Sequence, residues 1–423
     1  MWEFAVGLLL IRLYPDSLIL SAIRGIINSV AIIILSPIIG RWIERCSRLR
    51  ELKITLFLQN GSIAVSALFV ALYFAQIEVN NKLYQKVISI MTPTAFILFS
   101  TVAQVFSCGY TLVLEKDWLL ALVTDELQLT GLNAVLRRID LTCQTVSPFI
   151  VGILLQYSAF IATNVLCAWN LCSTIFEFTT LYFVYIQGPP SIRKPKAVPA
   201  EHKLKIIDVL AIKDYIKEFA LPGISYSLVY LTVLGFDSVT VGFLSSKSVP
   251  DSFIGAVSVC AGIFGILGTI IFQQVIKCTN LRKTGVIGLI IQMSALTLCL
   301  FLIFEPLKLK RIQYFNIELP IILFISGLVI SRSGLWMADL SVNQLIQTET
   351  RSPPLIGGVQ NSVNIMMDLT KFILVAFFSQ LEQFKILVIL SYSLVALATF
   401  CFAIYAFTRQ EKTFAISSYV TTL

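Results

Sequence analysis

The sequence predicts an all-α, multi-pass membrane protein made of two six-helix halves. Three observations carry this reading. Of 423 residues, 57% are apolar and only 13% are charged; a single water-soluble core stops growing near ~250–300 residues and cannot hide that much apolar surface. The apolar residues fall in repeated stretches of about 20, the length that crosses a bilayer as a helix. Basic residues concentrate in every second connector, the pattern that sets membrane topology.

Twelve spans are expected, at 1–13, 17–39, 54–76, 87–114, 132–158, 161–187, 219–243, 253–276, 284–304, 320–345, 359–381 and 385–408. The second and the last are the clearest. The first is short: Met1 opens directly into Trp-Glu-Phe-Ala-Val-Gly, and Tyr14-Pro15-Asp16 closes it well before the ~20 residues a span needs. The chain is therefore expected to begin partway through a truncated first helix, and no cleavable signal is expected ahead of it. The seventh span holds Thr232-Val-Leu-Gly-Phe-Asp-Ser-Val-Thr240. A glycine and a carboxylate in mid-span weaken the helix, and interrupted helices line transporter sites. The competing reading is a glycine packed against a neighbouring helix.

The connectors at 40–53, 115–131, 188–218, 277–283 and 347–358, with the tail 409–423, carry 19 Lys and Arg against 7 in the opposite set. This places the first set and both termini in the cytoplasm. Lys308-Leu-Lys-Arg311 is an exception on the outer side. The +8 net charge thus belongs to topology, and no nucleic-acid partner is expected. The connector at 188–218 contains Gly188-Pro-Pro-Ser-Ile-Arg-Lys-Pro-Lys196 and reads as a solvated cytoplasmic linker. It divides an amino half (1–187) from a carboxy half (219–408). His202, the one histidine, lies in this linker, where a ligand role is not expected. Most of the nine cysteines fall inside spans as small packing residues, without a CxxC pair. Gly40-Arg-Trp-Ile-Glu-Arg-Cys-Ser-Arg48 and Lys277-Cys-Thr-Asn-Leu-Arg-Lys283 occupy equivalent places in the halves. They resemble the parallel repeat of the major facilitator superfamily, with Glu44-Arg45 where its G-x-x-x-D-R-x-x-R signature has Asp-Arg.

Ionisable side chains at membrane depth are costly and mark candidate sites: Glu3, Arg12, Arg24, Asp140, Glu177, Asp237, Arg332, Asp339, Asp368 and Lys371. For Arg12, Arg24 and Arg332 an ion pair or a snorkelling position is the plainer reading. Asp368 and Lys371, three residues apart on a helix, are placed to neutralise each other. Asn170 and Glu177 lie two turns apart on one face; with Gln59 they make either an oxygen-rich site for a hard divalent cation or a structural hydrogen-bond network.

Met1-Trp-Glu-Phe-Ala-Val, Gln59-Asn60, Glu115-Lys-Asp-Trp118, Asn133-Ala-Val-Leu-Arg-Arg-Ile-Asp140, Trp169-Asn170, Thr232-Val-Leu-Gly-Phe-Asp237, Gly334-Leu-Trp336 and Gly358-Val-Gln-Asn-Ser362 resemble the ferroportin family over essentially the whole chain. The resemblance implies a major facilitator fold and export of iron(II) from the cytosol in exchange for protons. It implies a metal site at Gln59, Asn170 and Glu177, which in the family also binds calcium as an activating ion. It implies an inner gate at Glu44, Arg48, Asp140, Asp339 and Arg351. The departures fall in the metal sites. The family's first-helix aspartate would lie two residues before Met1, and its first-helix histidine is Glu3 here. In the carboxy half, Ser238 replaces the metal-binding cysteine and Lys371 the metal-binding histidine. That cysteine is also central to recognition of the hormone hepcidin, so hepcidin is not an expected partner.

The reading is a divalent-metal exporter of the plasma membrane, with an amino-half site of Glu3, Gln59, Asn170 and Glu177. Asp237, Ser238, Asp368 and Lys371 line its pathway, its partners are the metal and the bilayer, and it holds no resident cofactor. The alternatives are a transport-dead regulatory paralogue and an exporter of another divalent cation or an organic solute, since a fold does not fix its substrate. No nucleophile–base constellation or phosphate loop suggests an enzyme.

Overall fold

The computed structural model describes residues 2–13, 19–75, 82–193, 209–236, 238–247, 249–302, 319–378 and 383–408. The amino half contains α1 (Trp2–Leu13), α2 (Ile19–Arg45), α3 (Arg48–Ala75), α4 (Lys82–Val113), a π-helical turn (Leu114–Trp118) continued by α5 (Leu119–Leu122), α6 (Glu126–Tyr157) and α7 (Ala159–Gln187). Two short helices follow, α8 (Pro190–Arg193) and α9 (Val209–Glu218). The carboxy half contains α10 (Ala220–Tyr230), α11 (Ser238–Ser246), α12 (Asp251–Cys278), α13 (Leu281–Leu296) with a 3₁₀ turn (Thr297–Leu302), α14 (Leu319–Glu349), α15 (Pro353–Phe377) and α16 (Phe384–Thr408). Each of the twelve expected spans is filled by one helix or by a broken one, giving two six-helix halves.

Among the described residues, nine helices are long and apolar enough to cross a membrane. Three spans fall outside that set for identifiable reasons. The helix α1 is short, the seventh span is broken, and α15 carries Gln360, Asn361, Asn364, Asp368 and Lys371. Large apolar side chains point outward along the bundle, Phe149, Phe176 and Phe407 each more than 70% exposed. In water such a surface would aggregate; against lipid chains it is solvated. Hydroxyls on this surface are tied to the carbonyl four residues earlier, as Thr179 to Ile175 at 2.7 Å and Thr180 to Phe176 at 2.8 Å. That back-bond hides a polar group from hydrocarbon.

The helices outrun the expected spans. Only Cys46 and Ser47 lie outside helices between α2 and α3, and α14 continues to Glu349. Hydropathy stops at the first charged turn, whereas the backbone stays helical beyond it. Asp125 starts α6 early by accepting the Gln128 amide at 2.7 Å, an N-cap. The expectation of a solvated 188–218 linker needs correcting at both ends. Arg48 donates to the Ser191 carbonyl at 2.9 Å, Ile192 is buried, and α9 packs Tyr215 and Phe219 into the carboxy half. His202 and Lys308–Arg311 lie outside the described residues.

The halves meet along α2 against α15 and α6 against α12 and α14. The α2–α15 crossing is backbone against backbone: a Cβ on Gly40 would stand 2.3 Å from the Pro354 carbonyl oxygen, and one on Gly358 2.5 Å from that of Ser36. Glycine is required there because nothing larger fits.

Candidate functional site

One end of the interface is closed by side chains. The π turn projects Glu115 and Lys116 toward α14: Lys116, 5% exposed, donates to the Asn343 carbonyl at 3.1 Å and also meets its side-chain oxygen, while Asn343 donates to Glu115 at 3.0 Å. On α6, Asn133 and Gln347 of α14 exchange amide hydrogen bonds at 2.6 and 3.0 Å. Thr130 and Gln344 do the same at 3.1 and 2.9 Å. Arg137 reaches Asp339 at 2.7 Å and lies 5.1 Å from the Trp336 ring, and Asp339 also accepts from Tyr226. Arg138 donates to Thr269 of α12 at 2.9 Å.

Together with the approach of Gly40 to Pro354, these contacts use the ends of α2, α4, α12 and α14 that follow the spans and the beginnings of α6 and α15, so they share one end of the molecule. It is the end that carries the basic connectors. A cavity of about 240 Å³ lies just inside, between Cys108, Asn361 and the Arg137–Asp339 pair. A larger one of about 780 Å³ reaches the other way, past Thr145 of α6, Ser258 of α12 and Asp368 of α15.

The residues expected at the gate divide. Asp339 bridges the halves. Arg48 pairs with Asp117 at 2.8 Å and donates to the Ser191 carbonyl of the connector at 2.9 Å. Asp140 is held by Arg137 at 3.3 Å and Gln144 at 3.0 Å, both on α6. Arg351, 89% exposed, lies beside Glu218 at the end of α9, at 3.5 Å. Glu44, near the end of α2, is half-buried. Lys116, Asn133 and Arg137 lie in motifs that carry the family resemblance but have no site role expected from sequence, and Asn343, Gln344 and Gln347 are not among the expected site residues. A signal existed: Asn343, Gln344 and Gln347 put three amides close together on a helix whose first half is largely apolar.

The expected amino-half site falls on α3 and α7, which pack closely. Phe57 meets Phe178 at 5.6 Å between ring centroids, and the Cys167 thiol reaches the Ala64 carbonyl at 3.9 Å. The helices therefore run antiparallel, with Gln59 level with the stretch between Asn170 and Glu177. Asn170 donates its amide nitrogen to the Leu166 carbonyl at 2.7 Å, leaving oxygen as the atom it can offer. Glu177 accepts from Ser173 at 2.6 Å, and Tyr110 of α4 lies against it. The Gln59 Oε1 is buried with no hydrogen-bond donor. Glu3 is engaged elsewhere, with Arg24 of α2 at 2.9 Å. Among the described residues, no three His, Cys, Asp or Glu side chains converge as a metal cluster. An ion here would be held by amide and carboxylate oxygens.

The carboxy half shows the broken seventh span. Between Tyr230 and Ser238 the helix stops, and side chains take over its backbone bonds. Arg332 donates to the Leu234 carbonyl at 2.8 Å, Ser391 accepts from the Val233 amide at 3.0 Å, and Thr240 donates to the Val233 carbonyl at 2.6 Å. Arg332, expected to be an ion-pairing or snorkelling residue, holds this break. Lys371, buried, is paired with Asp368 at 2.7 Å, the mutual neutralisation expected from their spacing. Asp237 and the Ser238 side chain lie outside the described residues.

Two six-helix bundles meeting around a polar cleft, closed at one end by side chains, with charged groups along the pathway, define a multi-pass membrane transporter of the major facilitator fold. A family model described as Ferroportin1 matches residues 1–395. The chain belongs to the ferroportin family. It is 26% identical to ferroportin of Homo sapiens, over 94% of this chain and 86% of that protein. Its fold is similar to the crystal structure of a bacterial homologue of iron transporter ferroportin in the outward-facing state, with TM-score 0.81 and 22% identity over 96% and 95% of the two chains. It is similar also to the major facilitator transporter FucP in the outward conformation, with TM-score 0.64 and 10% identity over 97% of each chain.

Proposed function

We propose that this protein exports divalent metal, iron(II) foremost, from the cytosol across the plasma membrane by alternating access coupled to protons. The observation that carries the reading is the buried Gln59 oxygen, level with Asn170 and Glu177 and lacking a donor. A buried acceptor left unmade costs ~1–3 kcal/mol. A cation bound between it and Glu177 removes that cost and gives the carboxylate a counter-charge. The membership in a family whose human member is named ferroportin supports metal as cargo. Oxygen donors suit hard ions, so iron(II), manganese and calcium all fit, and discrimination among them is weaker than at a site with thiolate or imidazole ligands. Calcium, as an activating ion, would use the same three oxygens.

The closed end is read as the cytoplasmic gate, with both termini on that side, because the basic connectors lie there. Beside the charged contacts of Lys116, Glu115, Arg137 and Arg138, it is held by neutral hydrogen bonds between paired amides and hydroxyls. Each has a net worth of ~0.5–1.5 kcal/mol when water can replace the partner. A handful of them matches the few kcal/mol that separate the conformers of a switching protein. In the carboxy half, Lys371 with Asp368 fills the place of a bound ion with a fixed cation. A lysine ammonium has no lone pair to offer a metal, and no second metal site is proposed there. Regulation by hepcidin is not part of the reading, since the position that matches the family's cysteine is Ser238.

Titration calorimetry of the purified protein tests the site. Glu177→Gln should weaken divalent-cation binding at least tenfold, about 1.4 kcal/mol, and more than Asn170→Ala or Gln59→Ala does. A change below about threefold, well under that energy, favours a structural hydrogen-bond network instead.

A further inference from the structure

The connector helix α9 has four distinct sides. Tyr215 and Phe219 are buried in the carboxy half, while Ile212 and Ile216 are 46% and 63% exposed. At about 100° per residue, the two isoleucines lie within about 40° of each other, beside the buried side. Lys213 and Lys217, both exposed, follow about 100° further round, and Glu218 comes after them on the side away from the isoleucines. Glu218 is taken by Arg351, itself almost fully exposed.

The exposed apolar side of α9 does not end with α9. Only Phe219 separates it from α10, a spanning helix on which Leu221 and Ile224 are 43% and 45% exposed. Exposed apolar side chains thus occur on both sides of Phe219, on α9 and at the start of the spanning helix. A helix with apolar side chains toward hydrocarbon and lysines beside them is the arrangement of an interfacial helix, and lysine stems snorkel to place the ammonium among headgroups. Two cations, Lys213 and Lys217, flank the two isoleucines on one side, while Glu218, on the far flank, is paired with Arg351.

We propose that α9 is a docking surface for anionic lipid headgroups of the leaflet at the closed end. Ile212 and Ile216 enter the acyl boundary, and Lys213 and Lys217 hold the headgroups. The surface is linked to the gate. The Tyr215 hydroxyl donates to Gln360 of α15 at 2.8 Å, burial pushing its pKa up so that it stays a donor, and Gln360 lines the cavity inside the closed end. A lipid bound at α9 thereby fixes the start of the helix that crosses α2.

The test uses the full chain in nanodiscs of phosphatidylcholine alone or mixed with phosphatidylserine. Bimane on Ile216→Cys is read as the difference from the same labelling of the unsubstituted chain. The quenchers are lipids spin-labelled near the headgroup and bearing either headgroup. Both lipids should quench, phosphatidylserine more strongly. Each of Lys213→Gln and Lys217→Gln should cut that preference about fivefold, while the double arginine variant retains it. Quenching by neither lipid places α9 in water and overturns the proposal. Equal quenching by both overturns the headgroup assignment. Loss of the preference on adding inorganic phosphate also overturns it, by showing a site for a soluble anion. None of these outcomes depends on what the protein transports.

Discussion

Arg137 of α6 and Asp339 of α14 form a 2.7 Å salt bridge between the two halves, with Tyr226 of α10 donating to the same carboxylate. Both side chains are largely buried, at 18% and 10% exposure. Removing one partner of a buried pair costs ~3–5 kcal/mol, mostly from the charge left behind. Asp140, 3.3 Å from Arg137, offsets part of that cost. Asp339→Asn should therefore favour the state open at this end. Cys108 lines the cavity just inside, and its modification by a membrane-impermeant maleimide added from the side of the closed end, followed by peptide mapping, should rise about tenfold, the effect of ~1.4 kcal/mol. Unchanged labelling would show that the pair does not hold the gate.

The crossing of α2 and α15 gives a second prediction. Gly40→Ala and Gly358→Ala would each drive a Cβ into a carbonyl oxygen of the other helix. Over-packing of this kind costs ~1–3 kcal/mol, so both variants should melt earlier in detergent and expose Cys108. Gly25→Ala, on the same α2 with nothing within 4 Å of the added Cβ, is the control. It should be neutral or stabilising, because alanine is the better helix former by ~0.5–1 kcal/mol.

How much of this was legible beforehand differs from feature to feature. The spans were legible because lipid imposes a length and a hydropathy that each segment carries by itself. The break before Ser238 was legible for a similar local reason, as was the Asp368–Lys371 pair. Asn170 and Glu177 share a face by spacing alone, but nothing in the spacing shows that Gln59 lies level with them; that comes from the register of α3 on α7. The gate was the least legible part. Arg137 has Asp140 three residues away and reads as locally paired, whereas the contact that joins the halves is with Asp339, some 200 positions further on. Amide pairs such as Asn133–Gln347 carry no charge to flag them. The helical ends of the 188–218 connector were obscured by its prolines and lysines.

The broken seventh span yields a third prediction. Arg332→Met would leave the Leu234 carbonyl without its 2.8 Å donor. The expected loss is ~1–3 kcal/mol, visible as a lower melting midpoint. Ser391→Ala, which removes the acceptor of the Val233 amide, should act the same way and to a similar extent. A variant melting with the parent would mean that water replaces the arginine.

A fourth concerns the carboxy half. With Lys371 paired to Asp368, Lys371→Ala should not lower the number of metal ions bound per chain. Ser238→Cys combined with Lys371→His supplies a thiolate and an imidazole, both good donors to first-row metals, and should add one. Calorimetry that finds two ions on the unsubstituted chain, one of them lost in Lys371→Ala, would contradict the assignment.

The central claim is that divalent metal crosses the membrane through the Gln59–Asn170–Glu177 site, and vesicle transport tests it most directly. Purified protein in sealed proteoliposomes, with a metal-sensitive dye inside and iron(II) kept reduced outside, should show uptake above protein-free vesicles. The initial rate at low iron(II) should fall about tenfold or more in Glu177→Gln, in step with an affinity loss of ~1.4 kcal/mol. No uptake by the unsubstituted chain, or equal rates with and without the Glu177 carboxylate, would contradict the account.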